Sequence, residues 1–161
     1  MERKNRQAIF NLEDMLTFRI SSLYSRLSAG TTQDLAQFGL VLREWRVIAM
    51  LALHQPISAS ELVARSPLDK ASASRAVSGL VQRGLVTVAP SEADARVKVL
   101  RLTASGWALY RRVAPRSVAR QKALMSVLTS SERLALTSML DRIEREIVRY
   151  VSQLKRSSRG D

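Results

Sequence analysis

The strongest constraint on this chain is a pair of helix starts set close together. Ser58-Ala59-Ser60-Glu61 has the spacing of a capping box, in which a serine hydroxyl and a glutamate carboxylate satisfy backbone amides that a helix leaves unpaired at its start. A short helix to about Arg65 follows. Ser66-Pro67-Leu68 ends it, since proline has no backbone donor, and Asp69 offers a side-chain oxygen to cap a second helix. Two helices joined by a turn of roughly four residues have the spacing of a helix-turn-helix.

The second helix has a clear inside and outside. At about 100° per residue, Ala73, Ala76, Val77 and Leu80 cluster on one side and predict the core face. The other side collects Ala71, Ser72, Arg75, Ser78, Gly79 and Gln82, with Ser74 on its flank. That surface is small and polar and carries one long cation, whereas a merely solvated face usually holds more Glu and Lys. After Arg83-Gly84, the runs Leu85-Val86-Thr87-Val88 and Val97-Lys98-Val99-Leu100-Arg101-Leu102 alternate with period two and predict a hairpin. The segment 89–96 between them is too long for a tight turn, so it should project. A helix-turn-helix followed by a projecting hairpin is a winged helix.

Helices flank this unit. Ile9, Leu12, Leu16, Ile20, Leu23 and Leu27 mark one face of a helix expected to end near Ala29-Gly30, before a polar stretch over 31–37. Leu42, Trp45, Ile48, Ala49 and Ala52 mark another, bounded by Gly39 and Pro56. Thr103 should cap a long helix carrying Trp107, Leu109, Tyr110 and Val113, which Pro115 is expected to kink or interrupt. A last helix starts at Thr129-Ser-Ser-Glu132, and its stripe of Leu136, Leu140, Ile143, Ile147, Val151 and Leu154 is longer than an 18.0-kDa monomer readily covers. The expected architecture is mainly α with a small β-hairpin in one compact chain. Residues 1–37 and 104–161 form flanking helices whose apolar stripes need a partner to pack on, and 38–103 form the winged helix-turn-helix.

Composition narrows the function. With 26 Lys+Arg against 14 Asp+Glu, the net charge is +12, which favours a polyanionic partner. The excess is +2 over residues 1–56, +3 over 57–110 and +7 over 111–161, so charge alone would point away from the predicted reading helix. There is no cysteine and one histidine, His54, which argues against thiolate chemistry, a His-rich metal site and disulfides. No catalytic motif emerges, so neither an enzyme nor a cofactor is expected. Apolar runs such as 47–53 are far shorter than the ~18–20 residues of a membrane span, and no secretory signal is evident. A cytoplasmic protein without a membrane partner is expected.

A helix that enters the DNA major groove needs hydroxyls for phosphates or bases and a guanidinium able to fork onto guanine O6 and N7. Ser72, Ser74, Arg75 and Ser78 supply these, and Lys70 in the first turn suits a phosphate. In the hairpin loop, Asp94 is close enough in sequence to hold the Arg96 guanidinium in one orientation, which would suit a narrow minor groove. Taken without its context, that pair is an ordinary surface ion pair. The competing function is a winged helix used as a protein-interaction module or sequence-independent chromosome binder, which the basic C-terminal third would suit.

The fragments Leu42-Arg-Glu-Trp45-Arg46-Val-Ile, Asp69-Lys70-Ala-Ser72-Ala-Ser74-Arg75-Ala-Val, Arg83-Gly84-Leu-Val, Asp94-Ala-Arg96 and Leu102-Thr103-Ala-Ser-Gly106 resemble the MarR family of bacterial transcription regulators. The resemblance spans about residues 9–152, and the Asp-x-Arg followed by Leu-Thr-x-x-Gly is its most specific part. It implies a homodimer with intertwined terminal helices, in which Ser72, Ser74, Arg75 and Ser78 lie on the recognition helix and Asp94 and Arg96 on the wing. It further implies a repressor released from a palindromic operator by a small organic anion, often aromatic. Arg19, Arg46 and Tyr110 are the candidate effector contacts. The missing cysteines depart from members that sense peroxide, and metal-sensing members fit badly.

Overall fold

The computed structural model describes residues 11–157; Ile9 of the first predicted stripe lies outside them. Contacts divide the chain into two compact units, one reaching to Ala114 and one starting at Pro115.

The first unit opens with a 3-10 turn, Leu12–Asp14, capped by Asn11, and continues into α1, Leu16–Ala36. Sequence periodicity placed the end of this helix near Ala29-Gly30, but it runs on through the polar stretch. The hydroxyls of Thr31 and Thr32 donate to the carbonyls of Leu27 and Ser28 at 2.8 and 2.9 Å, so these side chains bond within the helix. The extension carries Leu35 into the core at 1% exposure. Burying a leucine contributes about 1.5–3 kcal/mol, more than the ~1 kcal/mol that a helical glycine costs, so packing overrides the local stop signal at Gly30.

Helix α2, Leu42–His54, buries Trp45, Val47, Ile48 and Leu51 and ends before Gln55-Pro56, as its spacing predicted. The Gln55 side-chain oxygen accepts the Leu102 amide at 2.6 Å. A two-residue strand follows, β1, Ile57–Ser58, which the sequence did not reveal because two residues cannot show an alternation. Ser58 then caps α3, Ala59–Arg65; its amide reaches the Glu61 carboxylate at 2.7 Å and its hydroxyl accepts the Glu61 amide at 3.2 Å. Asp69 caps α4, Lys70–Gln82. Gly84, at φ +66°, turns the chain towards the hairpin in a conformation that side-chain-bearing residues rarely adopt.

The hairpin comprises β2, Val86–Pro90, and β3, Lys98–Leu102, in a three-stranded antiparallel sheet of order β1-β3-β2. Val86 pairs with Leu102 and Pro90 with Lys98, so Ala89 and Pro90, expected in the loop, belong to the strand. An edge strand tolerates proline because one row of its backbone groups needs no partner. Thr103 Oγ1 donates to the Gly84 carbonyl at 2.8 Å and accepts the Gly106 amide at 3.0 Å, capping α5, Ala104–Met125. The helix is not interrupted at Pro115. Proline removes one backbone bond there, and the remaining turns of a 22-residue helix carry it across.

In the second unit, Thr129 and Glu132 close a capping box with bonds of 2.7 and 3.3 Å, starting α6, Ser130–Ser157. This helix buries none of its residues. Met139, Leu140, Ile147, Val148, Val151 and Leu154 are all exposed large apolar side chains. Among the described residues, no helix is long and apolar enough to cross a membrane.

Candidate nucleic-acid interface

The interface begins at the cap of α4. One oxygen of the Asp69 carboxylate accepts the Ser72 backbone amide at 2.8 Å, and the other accepts the Ser72 hydroxyl at 2.7 Å. The Ser72 backbone amide is the main reason that the Asp69 carboxyl is held below its usual range. The Ser72 hydroxyl oxygen in turn accepts a bond of 3.3 Å from the Arg75 guanidinium. Ala73, Ala76 and Leu80 anchor the opposite face in the core, with Val77 half-buried, as the wheel predicted.

Anchored in this way, α4 presents Lys70, Ser74, Arg75 and Ser78 to solvent, while Ser72 is half-buried. Lys70, Ser74 and Ser78 border a groove of about 450 Å³ shared with Leu62 and Val63 of α3. Gly79 departs from its predicted outward position. It is half-buried, and a Cβ there would lie 3.3 Å from a Glu44 carboxylate oxygen. Glu44 accepts bonds from the Arg83 guanidinium at 3.1 Å and from the Val41 amide at 3.2 Å. Glu44 thus ties the start of α2 to the end of α4. Sequence reasoning missed this role, because an ion pair 39 residues apart leaves no periodic trace.

The wing is a seven-residue loop, 91–97, closed by bonds from the Ser91 amide to the Val97 carbonyl and from the Val97 amide to the Asp94 carbonyl, at 2.7 and 2.9 Å. The Asp94 carboxylate accepts the backbone amide of Arg96 at 2.9 Å; it was expected to hold the guanidinium. A carboxylate two residues upstream in a turn reaches the amide more readily than a long side chain. Asp94 therefore shapes the loop, and the Arg96 side chain extends from it exposed. A pair the sequence did not suggest, Arg101 with Glu92 at 3.0 Å, tethers the loop to β3.

The three candidate effector residues are spread over different surroundings. Arg46 donates to the Tyr24 hydroxyl at 3.0 Å and lies 5.6 Å from the centre of that ring. This bond is the main reason that the Tyr24 phenol is held below its usual range. Arg46 also lines, with Arg43, Thr32, Asp69 and Ser72, a cleft of about 420 Å³ that neither Arg19 nor Tyr110 lines. Tyr110 instead stacks on Trp45 at 5.9 Å between ring centres and meets Trp107 edge-on at 5.6 Å. Arg19 is exposed on α1.

Residues 38–97 match the MarR family, a segment that holds α2, the helix-turn-helix and the wing loop. An uncharacterized HTH-type transcriptional regulator of Staphylococcus aureus is 31% identical over 50% of this chain and 55% of its own length. The chain thus matches about half the length of the first of its curated relatives. A MarR/EmrR family transcriptional regulator from Acinetobacter sp. ADP1 is 26% identical, with a TM-score of 0.82 over 87% of this chain and 99% of that one. BpsR of Bordetella bronchiseptica, whose DNA binding is regulated by 6-hydroxynicotinic acid, shares the fold at 21% identity, with a TM-score of 0.76 over 84% of this chain and 96% of that one. Residues 38–97 thus match the MarR family, and the fold as a whole is similar to that of a MarR/EmrR family transcriptional regulator.

Proposed function

We propose that this chain is a sequence-specific DNA-binding repressor that acts as a homodimer and leaves a palindromic operator when a small organic acid binds. The observation that carries the reading is the exposed face of α4, on which Lys70, Ser74, Arg75 and Ser78 stand clear of the core beside a projecting wing. A face of that width and chemistry suits the major groove, with Arg75 on a guanine edge and Lys70 on a phosphate. Arg96, exposed at the loop, suits the narrower minor groove. The bare apolar side chains of α6 supply the surface for a second copy.

The cleft bordered by Arg43 and Arg46 is the effector site in this reading. Two guanidiniums favour a carboxylate, and the cleft shares Asp69 and Ser72 with the start of the recognition helix. BpsR supplies a precedent in the same fold for control by an aromatic acid. In this reading Arg46 is an effector contact, and the ring contacts of Tyr110 with Trp45 and Trp107 favour a packing role for it.

Binding selection from randomised duplex DNA at about 150 mM salt, a near-physiological ionic strength, tests the reading. It should yield a palindrome with half-sites about one helical turn apart. Affinity should fall by roughly 10³ to 10⁵ between 50 and 200 mM salt if ~6–10 phosphates are neutralised. Titration with aromatic acids should then release the selected site. Failure to enrich any sequence would replace the operator reading with the sequence-independent or protein-binding one.

A further inference from the structure

Ser72 stands apart from the other hydroxyls of α4. A serine hydroxyl has one proton to donate and two lone pairs. In Ser72 the proton goes to the Asp69 carboxylate at 2.7 Å, and one lone pair receives the Arg75 guanidinium at 3.3 Å. With its proton committed, this hydroxyl has nothing to give a phosphate oxygen or a guanine acceptor. The side chain is also half-buried, whereas Ser74, Arg75 and Ser78 are exposed.

We infer that Ser72 is a positioning residue, which links the Asp69 cap to Arg75 and sets the guanidinium's direction before DNA arrives, and is not itself a contact to the DNA. The inference rests on the proposed function and changes the role of one residue that the sequence suggested as a DNA contact. The geometry runs along one side of the first helical turn: Asp69, Ser72 and Arg75 are three residues apart in succession, and such neighbours share a face. The carboxylate is itself fixed, because its other oxygen is bonded to the Ser72 backbone amide at 2.8 Å. Arg75 is thereby tethered to a rigid helix start. A long side chain left free would lose rotamer freedom on reaching a base, which costs about two- to tenfold in affinity.

A double-mutant cycle on the selected operator tests this. Affinities are measured for the operator and for its single-base-pair variants at fixed salt, with wild type, Ser72→Ala, Arg75→Ala and the double variant. Arg75→Ala should abolish discrimination at one base pair per half-site, a loss of about fivefold or more. Ser72→Ala should weaken discrimination at that same base pair by about two- to tenfold. It should leave the other positions and the salt dependence unchanged. The double variant should match Arg75→Ala alone, because a tether has no effect once the tethered group is gone. Ser72→Thr, which keeps the hydroxyl, should restore discrimination.

Ser72→Ala leaves the Asp69 bond to the residue-72 amide in place, so the cap persists, and an unchanged thermal midpoint checks it. Losses that add in the double variant, that fall on a different base pair, or that lower the salt slope would make Ser72 an independent DNA contact and overturn the inference. A uniform loss on all sequences with a lowered midpoint would give it a purely structural role and also overturn it. A wild type that discriminates at no base pair would overturn the operator reading itself, and the role of Ser72 with it.

Discussion

Gly106 shows how much one residue can decide. A Cβ at this position would collide with the backbone carbonyl of Leu85, and it would also press on the Leu102 side chain at 3.2 Å. The last residue of the Leu-Thr-x-x-Gly pattern thus has a packing cause: α5 must start close to the chain entering the hairpin. Thr103, three residues earlier, bonds both the Gly106 amide and the Gly84 carbonyl. Backbone cannot yield as a flexible side chain can, so Gly106→Ala should destabilise the protein by about 1–3 kcal/mol, the range for overpacking. Urea unfolding of the two proteins measures it, and a difference below ~0.5 kcal/mol would show that the contact relaxes without cost. The Leu-Thr-x-x-Gly residues were legible in the sequence, but the reason for the glycine lay about 20 residues away, at a carbonyl that no spacing rule reveals.

At the scale of elements, three helix starts share one chemistry. Glu61, Asp69 and Glu132 are each held below the usual carboxylate range, chiefly by the backbone amides of Ser58, Ser72 and Thr129. A carboxyl depressed in the folded state stabilises the fold above its unfolded pKa, and that stability is lost as pH falls through the folded value. Thermal midpoints should therefore fall below about pH 4, where free carboxylates begin to take up protons. Asp69→Asn keeps a capping oxygen but has no charge to titrate. The gap between its midpoint and that of wild type should shrink from pH 7 to pH 3, and a constant gap would show that the Asp69 charge does not stabilise the cap. All three caps were readable beforehand, since capping is local. The end of α1 was not, because burial of Leu35 decided it, and β1 was not, because its two residues gain meaning only through pairing with β3.

At the scale of the molecule, the exposed stripe of α6 belongs with the proposed dimer. Contiguous large apolar side chains such as Leu140, Ile147, Val151 and Leu154 are rarely left in water by a monomer. Sedimentation equilibrium should find a dimer. Ile147→Glu should shift it towards monomer and, by halving the number of reading heads per particle, weaken operator binding by much more than tenfold. A dimer of undiminished stability would move the interface elsewhere. The heptad-like spacing announced this surface, and the capping boxes, the buried face of α4 and the order of elements were equally plain, because each depends on residues within a turn or two of one another. Tertiary structure decided the rest. It turned Gly79 towards Glu44, gave the Asp94 carboxylate to a backbone amide, set Arg46 beside Tyr24 and left Arg19 and Tyr110 in separate surroundings. Periodicity records which face of an element is apolar, whereas the partner of a polar side chain is settled by whichever group the packing brings within hydrogen-bonding distance.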